Sequence, residues 1–136
     1  MIDKCINEQT DLTCDINMIF DYYYYSNDKE ISRRWLALAS EIKTIDAFLR
    51  PTRYGKSLWG LCAIVLFQKS DEELVPYLVE LMKWIEDMNW PGATIIEKRL
   101  NLFEDTVSYT KAKNYCLELA SNCDDKRWLH RLQDLK

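Results

Sequence analysis

The sequence predicts an all-α single domain over residues 1–136, and three observations carry that reading. Apolar residues recur at helical spacing: Leu74, Tyr77, Leu78, Leu81, Ile85 and Met88 form one stripe, and Ala93, Ile96, Leu100 and Phe103 a second. The 136 residues contain only 3 Gly and 3 Pro, too few breakers for a many-turned β-sandwich. A chain of this length, 48% hydrophobic and 29% charged, can bury a core without a disulfide or metal staple.

The two stripes meet at Asn89-Trp90-Pro91-Gly92. Pro91 disfavours the α conformation at Trp90 and suits the first position of a new helix. Asn89 tolerates a left-handed C-cap. A tight helix-turn-helix hairpin is expected here, with the remaining helices packed on it.

The N-terminal 27 residues are acidic, with Asp3, Glu8, Asp11, Asp15 and Asp21 against Lys4. Ile16, Ile19, Phe20 and Tyr23 predict a helix over about 14–25. The run Tyr22, Tyr23, Tyr24 and Tyr25 cannot all face one way on a helix and also fits a strand. Ser26-Asn27-Asp28 then breaks the chain. Ile31, Trp35, Leu38, Ala39, Ile42, Ile45 and Leu49 predict a long helix over 29–49, ended by Pro51. A third helix is expected over about 54–68, apolar nearly all round and therefore central. Ser70 with Glu73 forms a capping-box pattern, and Asp71 and Glu72 favour the positive end of the helix dipole. Because Pro76 lacks an amide donor, a short turn through Val75 precedes the main helix of the hairpin. After the hairpin, Glu104-Asp105 opens a helix over 106–122, whose stripe is Val107, Ala112, Tyr115, Cys116 and Leu119. Asn122-Cys123-Asp124 re-caps the chain for a last helix over 126–135, with Trp128, Leu129 and Leu132 inward. Six to seven helices in antiparallel hairpins look like a small HEAT-like α-solenoid, although no repeat of fixed period is legible.

Most enzyme chemistries lack their residues. Gly55-Lys56-Ser57 resembles the end of a phosphate-binding loop, but the required upstream glycine is Arg50. His130 is the only histidine, so imidazole-based hydrolysis or metal binding has no partners. The five cysteines are odd in number and form no Cys-x-x-Cys pair, which suggests neither a disulfide framework nor a zinc site. Cys62 sits in an apolar run and reads as a small hydrophobe. The carboxylate pairs Glu86-Asp87 and Asp124-Asp125 fall at helix ends, where capping accounts for them. No catalytic residue, cofactor or metal is expected. Arg50, Arg53 and Lys56 with Tyr54 make a local basic patch, either a solvated helix end or a grip for an anion or for the acidic N-terminal segment.

Binding is better represented. Glu73, Glu80 and Asp87 are seven residues apart, so they are expected to line one face as an acidic ridge, opposite the stripe of Leu74, Leu78, Leu81 and Ile85. Such a ridge is either a solvated face or a surface that steers a basic partner. Trp84 lies off the main stripe and is expected partly exposed beside that ridge, whereas Trp90 is expected to stack over the hairpin. Asp15, Asp21, Tyr22 and Tyr24 form a second candidate patch, since exposed tyrosine beside carboxylates suits an interface. The net charge of -4 argues against nucleic acid as a direct partner. The N-terminus lacks the features of a signal peptide, and the apolar run 58–67 is too short to span a bilayer, so a cytoplasmic location with no membrane partner is expected.

The run Asp71-Glu72-Glu73-Leu74-Val75-Pro76-Tyr77-Leu78, followed by Trp84-Ile85-Glu86-Asp87-Met88-Asn89-Trp90-Pro91-Gly92-Ala93, resembles a family of small bacterial all-helical domains of unknown function marked by an "L-x-D-x-N-W-P-G-A" hairpin. Ala120, Asp124-Asp125 and Trp128 are similar to that family's closing acidic-pair-then-Trp pattern, and the resemblance covers about 48–132. It implies a HEAT-like helical fold. Domains of this kind recur as immunity proteins encoded beside polymorphic or contact-dependent toxins, many of them basic nucleases. By analogy the expected partner is a cognate basic protein toxin, bound and neutralised in the manner of an antitoxin. The alternative is a HEAT-like adaptor for another cellular protein.

Overall fold

The computed structural model describes Glu41 and residues 43–136, with the side chains of Arg53 and Tyr54 outside the description. The expected helix over 14–25, the tyrosine run and most of the helix over 29–49 lie outside the described residues. What is described is all-α apart from one four-residue strand. A 3-10 turn at Asp46–Phe48 leads to β1 (Arg53–Lys56) and α1 (Trp59–Phe67). Then come α2 (Asp71–Leu74), a 3-10 turn at Val75–Tyr77, α3 (Leu78–Trp84) and α4 (Ala93–Asn101). The chain closes with α5 (Thr106–Asn122) and α6 (Lys126–Asp134).

Two helix boundaries differ from expectation. The third helix starts at Trp59, not near Tyr54, because Gly55 adopts φ +62 and donates its N–H to the Thr52 carbonyl at 3.1 Å, closing a turn where a helix would need to begin. The preceding helix does not run through Leu49. Residues 43 and 44 are irregular, the chain tightens into the 3-10 turn, and Arg50 takes φ +50 ahead of Pro51. That detour seats Phe48, fully buried, against α1.

α1 is the central element: Leu58 at its N-cap, then Trp59, Leu61, Cys62, Ala63, Val65 and Leu66, are buried. It packs on α4; α4 packs on α3, α3 on α5, and α5 on α6. The α3–α6 side is locked by Trp128, whose indole N–H donates to the Met82 carbonyl at 2.9 Å. The capping logic holds where it is local. Ser70 and Glu73 form the reciprocal capping box, Asp105 caps α5 through Ser108 N–H, and Asp125 caps α6 through Trp128 N–H.

The α5 stripe is rotated from its expected position. Val107 and Tyr115 point to solvent, and the buried residues are Tyr109, Ala112, Cys116 and Ala120. Small side chains at three of those four positions let α5 approach α3 and α6 closely, so size rather than hydropathy marks this seam. Tyr109 stacks on Phe103 with ring centroids 6.0 Å apart, and its buried hydroxyl has no hydrogen-bond partner among the described residues. Burial pushes that phenol up to about 12. Tyr109→Phe is therefore expected to be neutral or to stabilise the fold by about 1 kcal/mol, since it removes a desolvated group and keeps the ring. Chemical denaturation of the two proteins side by side checks this.

Burial also pushes the thiols of Cys62 and Cys116 up, to about 12 and about 11, whereas Cys123 is exposed. The thiolate is the nucleophile. Of these three, Cys123 is expected to be alkylated first at neutral pH, which peptide mapping after a short iodoacetamide pulse would read.

Candidate functional site

The hairpin turn between α3 and α4 is built with unusual economy. Asp87 accepts the Asn89 N–H at 2.9 Å on its side chain and the Trp90 N–H at 3.0 Å on its carbonyl. Ala93 N–H then bonds the Trp90 carbonyl at 3.1 Å, and Ile96 N–H bonds the Gly92 carbonyl at 2.9 Å, starting α4. Two expectations are corrected here. The left-handed residue is Gly92, φ +84, and not Asn89; the new helix begins at Ala93, leaving Pro91 in the turn. The reason is steric. A Cβ on Gly92 would lie 2.7 Å from Ala63 Cβ and 2.8 Å from the Trp59 carbonyl oxygen, so only glycine lets the turn lie on α1.

The same close approach overturns the expectation for Trp84, while Trp90 packs against the core at the hairpin as expected. Trp84 is fully buried, not partly exposed. Because the turn folds back over it, the Pro91 carbonyl reaches its indole N–H at 3.0 Å, and its ring meets Trp59 edge-on at 6.0 Å. Trp90 is the half-exposed one. It sits edge-on to Trp59 at 5.5 Å, with Arg50 at 5.8 Å and Lys56 at 5.7 Å from its ring centroid. Part of the basic patch thus braces the hairpin.

The acidic ridge is not one helix face. Glu73 lies on the single turn α2, Glu80 on α3, and Asp87 in the turn after α3 has ended. The interruption at Val75–Tyr77 and the stop at Trp84 break the seven-residue register. Glu73 is engaged in its capping box, whose Ser70 bonds hold the carboxyl below its ordinary value. Glu80 pairs with Arg50 at 3.0 Å and more loosely with Lys83 at 3.7 Å. Asp87 is exposed. Asp15, Asp21, Tyr22 and Tyr24 lie outside the described residues.

Asp87 borders an open groove of about 540 Å³ between the hairpin turn and α6. Glu86, Asp87 and Asn89 form one wall; Arg127, His130 and Arg131 form the other, with Asp134 closing it. Residues 127, 130, 131 and 134 share a helix face by the i, i+3, i+4, i+7 rule. That spacing is the sequence signal for this wall, in which His130 is an exposed surface residue. His130 Nε2 lies 3.5 Å from Asp134 Oδ2, both well exposed. Burial raises the Glu86 carboxyl, with Arg50 pulling it back and Asp125 adding to the rise. The groove is open to solvent and mixed in charge, which suits reversible recognition of a charged surface better than water-excluded proton transfer. Among the described residues, no cluster of three or more His, Cys, Asp or Glu is placed to hold a metal, and no helix is long and apolar enough to cross a membrane.

A second cluster went unread because it joins distant residues. Arg99 is buried and donates to Asp71 Oδ1 at 2.6 Å and to the Lys69 carbonyl at 2.9 Å, over the Phe103 ring at 5.0 Å. Asp71 Oδ2 accepts the Glu104 N–H at 2.8 Å. Burial opposes the Asp71 charge, but the Glu104 N–H and Arg99 outweigh it and hold the carboxyl below its ordinary value. This clasp ties the start of α2 to the end of α4.

No curated protein and no solved structure matches this chain. A family model described as a domain of unknown function (DUF5071) matches residues 62–135, more than half of the sequence, from within α1 through α6. By that match, the chain belongs to the DUF5071 family of domains of unknown function.

Proposed function

We propose that this protein is an immunity protein that binds a cognate bacterial toxin and neutralises it by protein–protein contact, without catalysis. The observation that supports this most is the hairpin turn. Gly92, Trp84 and the Asp87 bonds hold it in one conformation, yet its outward side presents exposed Asp87, Asn89 and Pro91 with half-exposed Trp90 beside an open polar groove. A turn so rigidly held forfeits little entropy on binding, which is how preorganisation raises affinity. The same turn carries the resemblance to small bacterial domains of the immunity kind.

In this reading Asp87 and the groove contact the toxin, and electrostatic attraction to a basic toxin comes chiefly from the N-terminal part. Residues 41–136 hold 15 acidic against 14 basic side chains, so the excess of acid over base lies mostly in residues 1–40. The succession of packed neighbours from α1 to α6 fits a short HEAT-like solenoid. A cytoplasmic setting accords with a toxin met inside the cell. That near balance of charge is also the observation in favour of an adaptor for another cellular protein.

The test is to tag the chain in its native host and identify stoichiometric partners by mass spectrometry. One toxin domain in equal amount is the expected result; housekeeping proteins recovered from cells that also express a toxin would favour the adaptor. Glu80→Lys is a poor probe, because it also breaks the Arg50 pair. Asp87→Lys breaks no ion pair among the described residues and is expected to weaken the complex roughly tenfold or more; Asp87→Asn, which keeps an oxygen to accept the Asn89 N–H, separates loss of charge from loss of that turn bond.

A further inference from the structure

The groove between the end of α1 and the end of α4 shares none of its lining with the groove beside α6. It has a volume of about 640 Å³ and is edged by Phe67 and Leu102, which are 36% and 58% exposed. These are two of the four large hydrophobic residues exposed among the described residues, and both line this one groove. Exposed apolar side chains gathered in a concavity with polar edges are the usual anatomy of a docking site.

The charges around the groove select the occupant. Asp71 and Arg99 neutralise each other inside the clasp. Lys69 is buried, and its charge acts on Glu73. Glu72 and Glu104 are exposed, and among the described residues neither carboxylate is drawn into an ion pair. The groove therefore offers two apolar contacts flanked by two free carboxylates. We propose that it docks a segment of a partner protein that carries one bulky apolar side chain flanked by lysine or arginine. The apolar side chain lies between Phe67 and Leu102, and the flanking cations reach Glu72 and Glu104. The clasp beneath keeps the floor rigid. This inference rests on the groove itself and not on neutralisation of a toxin.

A phage-displayed library of short random peptides, selected on the folded full chain with counter-selection on a Phe67→Ser/Leu102→Ser variant, tests it. Both substitutions are at exposed positions, and circular dichroism checks that the variant is folded. Enriched peptides are expected to share a bulky apolar residue next to Lys or Arg. Such a peptide should shift the amide resonances of residues around 67, 72, 102 and 104. Its binding should fall roughly tenfold or more in Glu72→Gln/Glu104→Gln, and less sharply at high salt. A consensus without basic residues, binding unaffected by either variant, shifts confined to the hairpin groove, or no enrichment at all would overturn the proposal. A toxin that co-purifies while this selection fails would leave the immunity reading standing and remove only the groove.

Discussion

Replacing Gly92 with alanine is expected to cost about 3 kcal/mol or more of folding stability, a large effect for one added methyl group. Two costs combine. An L-residue at φ +84 is strained by roughly 1–2 kcal/mol. The added Cβ would also lie 2.8 Å from the Trp59 carbonyl oxygen, a backbone atom that cannot swing away, and 3.2 Å from the Trp84 ring. To relieve the overlap, the hairpin must lift from α1, and the bond from Trp84 to the Pro91 carbonyl then lengthens. Urea denaturation followed by tryptophan fluorescence reads both the midpoint and the changed Trp84 environment. An unchanged midpoint would mean that the turn does not rest on α1 as described.

Arg99→Ala is the second large effect, about 3 kcal/mol, because it leaves the partly buried Asp71 carboxylate without its cation and the Lys69 carbonyl without its donor. The side chain of Arg99 is only 8% exposed and that of Asp71 26%. Asp71→Asn should cost less, since an amide can still accept from Glu104 N–H. A double-mutant cycle between the two positions isolates their coupling. The pH dependence has a fixed sign. The Asp71 carboxyl titrates below its ordinary value in the folded protein, so its contribution is present at neutral pH. It fades as pH falls below the ordinary aspartate value of about 4 and through the lowered folded value. In Asp71→Asn that acid-side loss should shrink.

What could be read from the sequence was what depends on neighbours in the chain. Ser70 with Glu73, Asp105 and Asp125 cap their helices through bonds three residues away, and the turn at Val75–Tyr77 follows from one proline. The stripe Ala93, Ile96, Leu100 and Phe103 is buried throughout, because its spacing and hydropathy agree. Expectation failed, or offered nothing, where the partner lies beyond the adjacent helical turn. Trp84 is buried because Pro91 folds back to its indole, and Arg99 because Asp71 waits 28 residues away. A seven-residue register of acids can form a ridge only on an unbroken helix, and α3 ends three residues before Asp87. Along α5, Val107 and Tyr115 offer more apolar bulk than alanine, yet the close seam needs Ala112, Cys116 and Ala120.

These corrections narrow the surface offered to a partner. Of the four expected contacts among the described residues, Asp87 remains on display, Glu73 and Glu80 are drawn into local bonds, and Trp84 supports the turn from beneath. Trp90 takes its place at the surface. The braced hairpin is therefore the part of the described residues on which the proposed neutralisation by contact would rest.

The most direct test of that account is growth. The partner recovered from the native host would be expressed in naive cells, alone and together with this chain. The account predicts arrest by the partner alone, full growth when the two are co-expressed, and renewed arrest with Asp87→Lys present at undiminished level. A partner that is harmless by itself, or one whose toxicity this chain does not relieve, would contradict it.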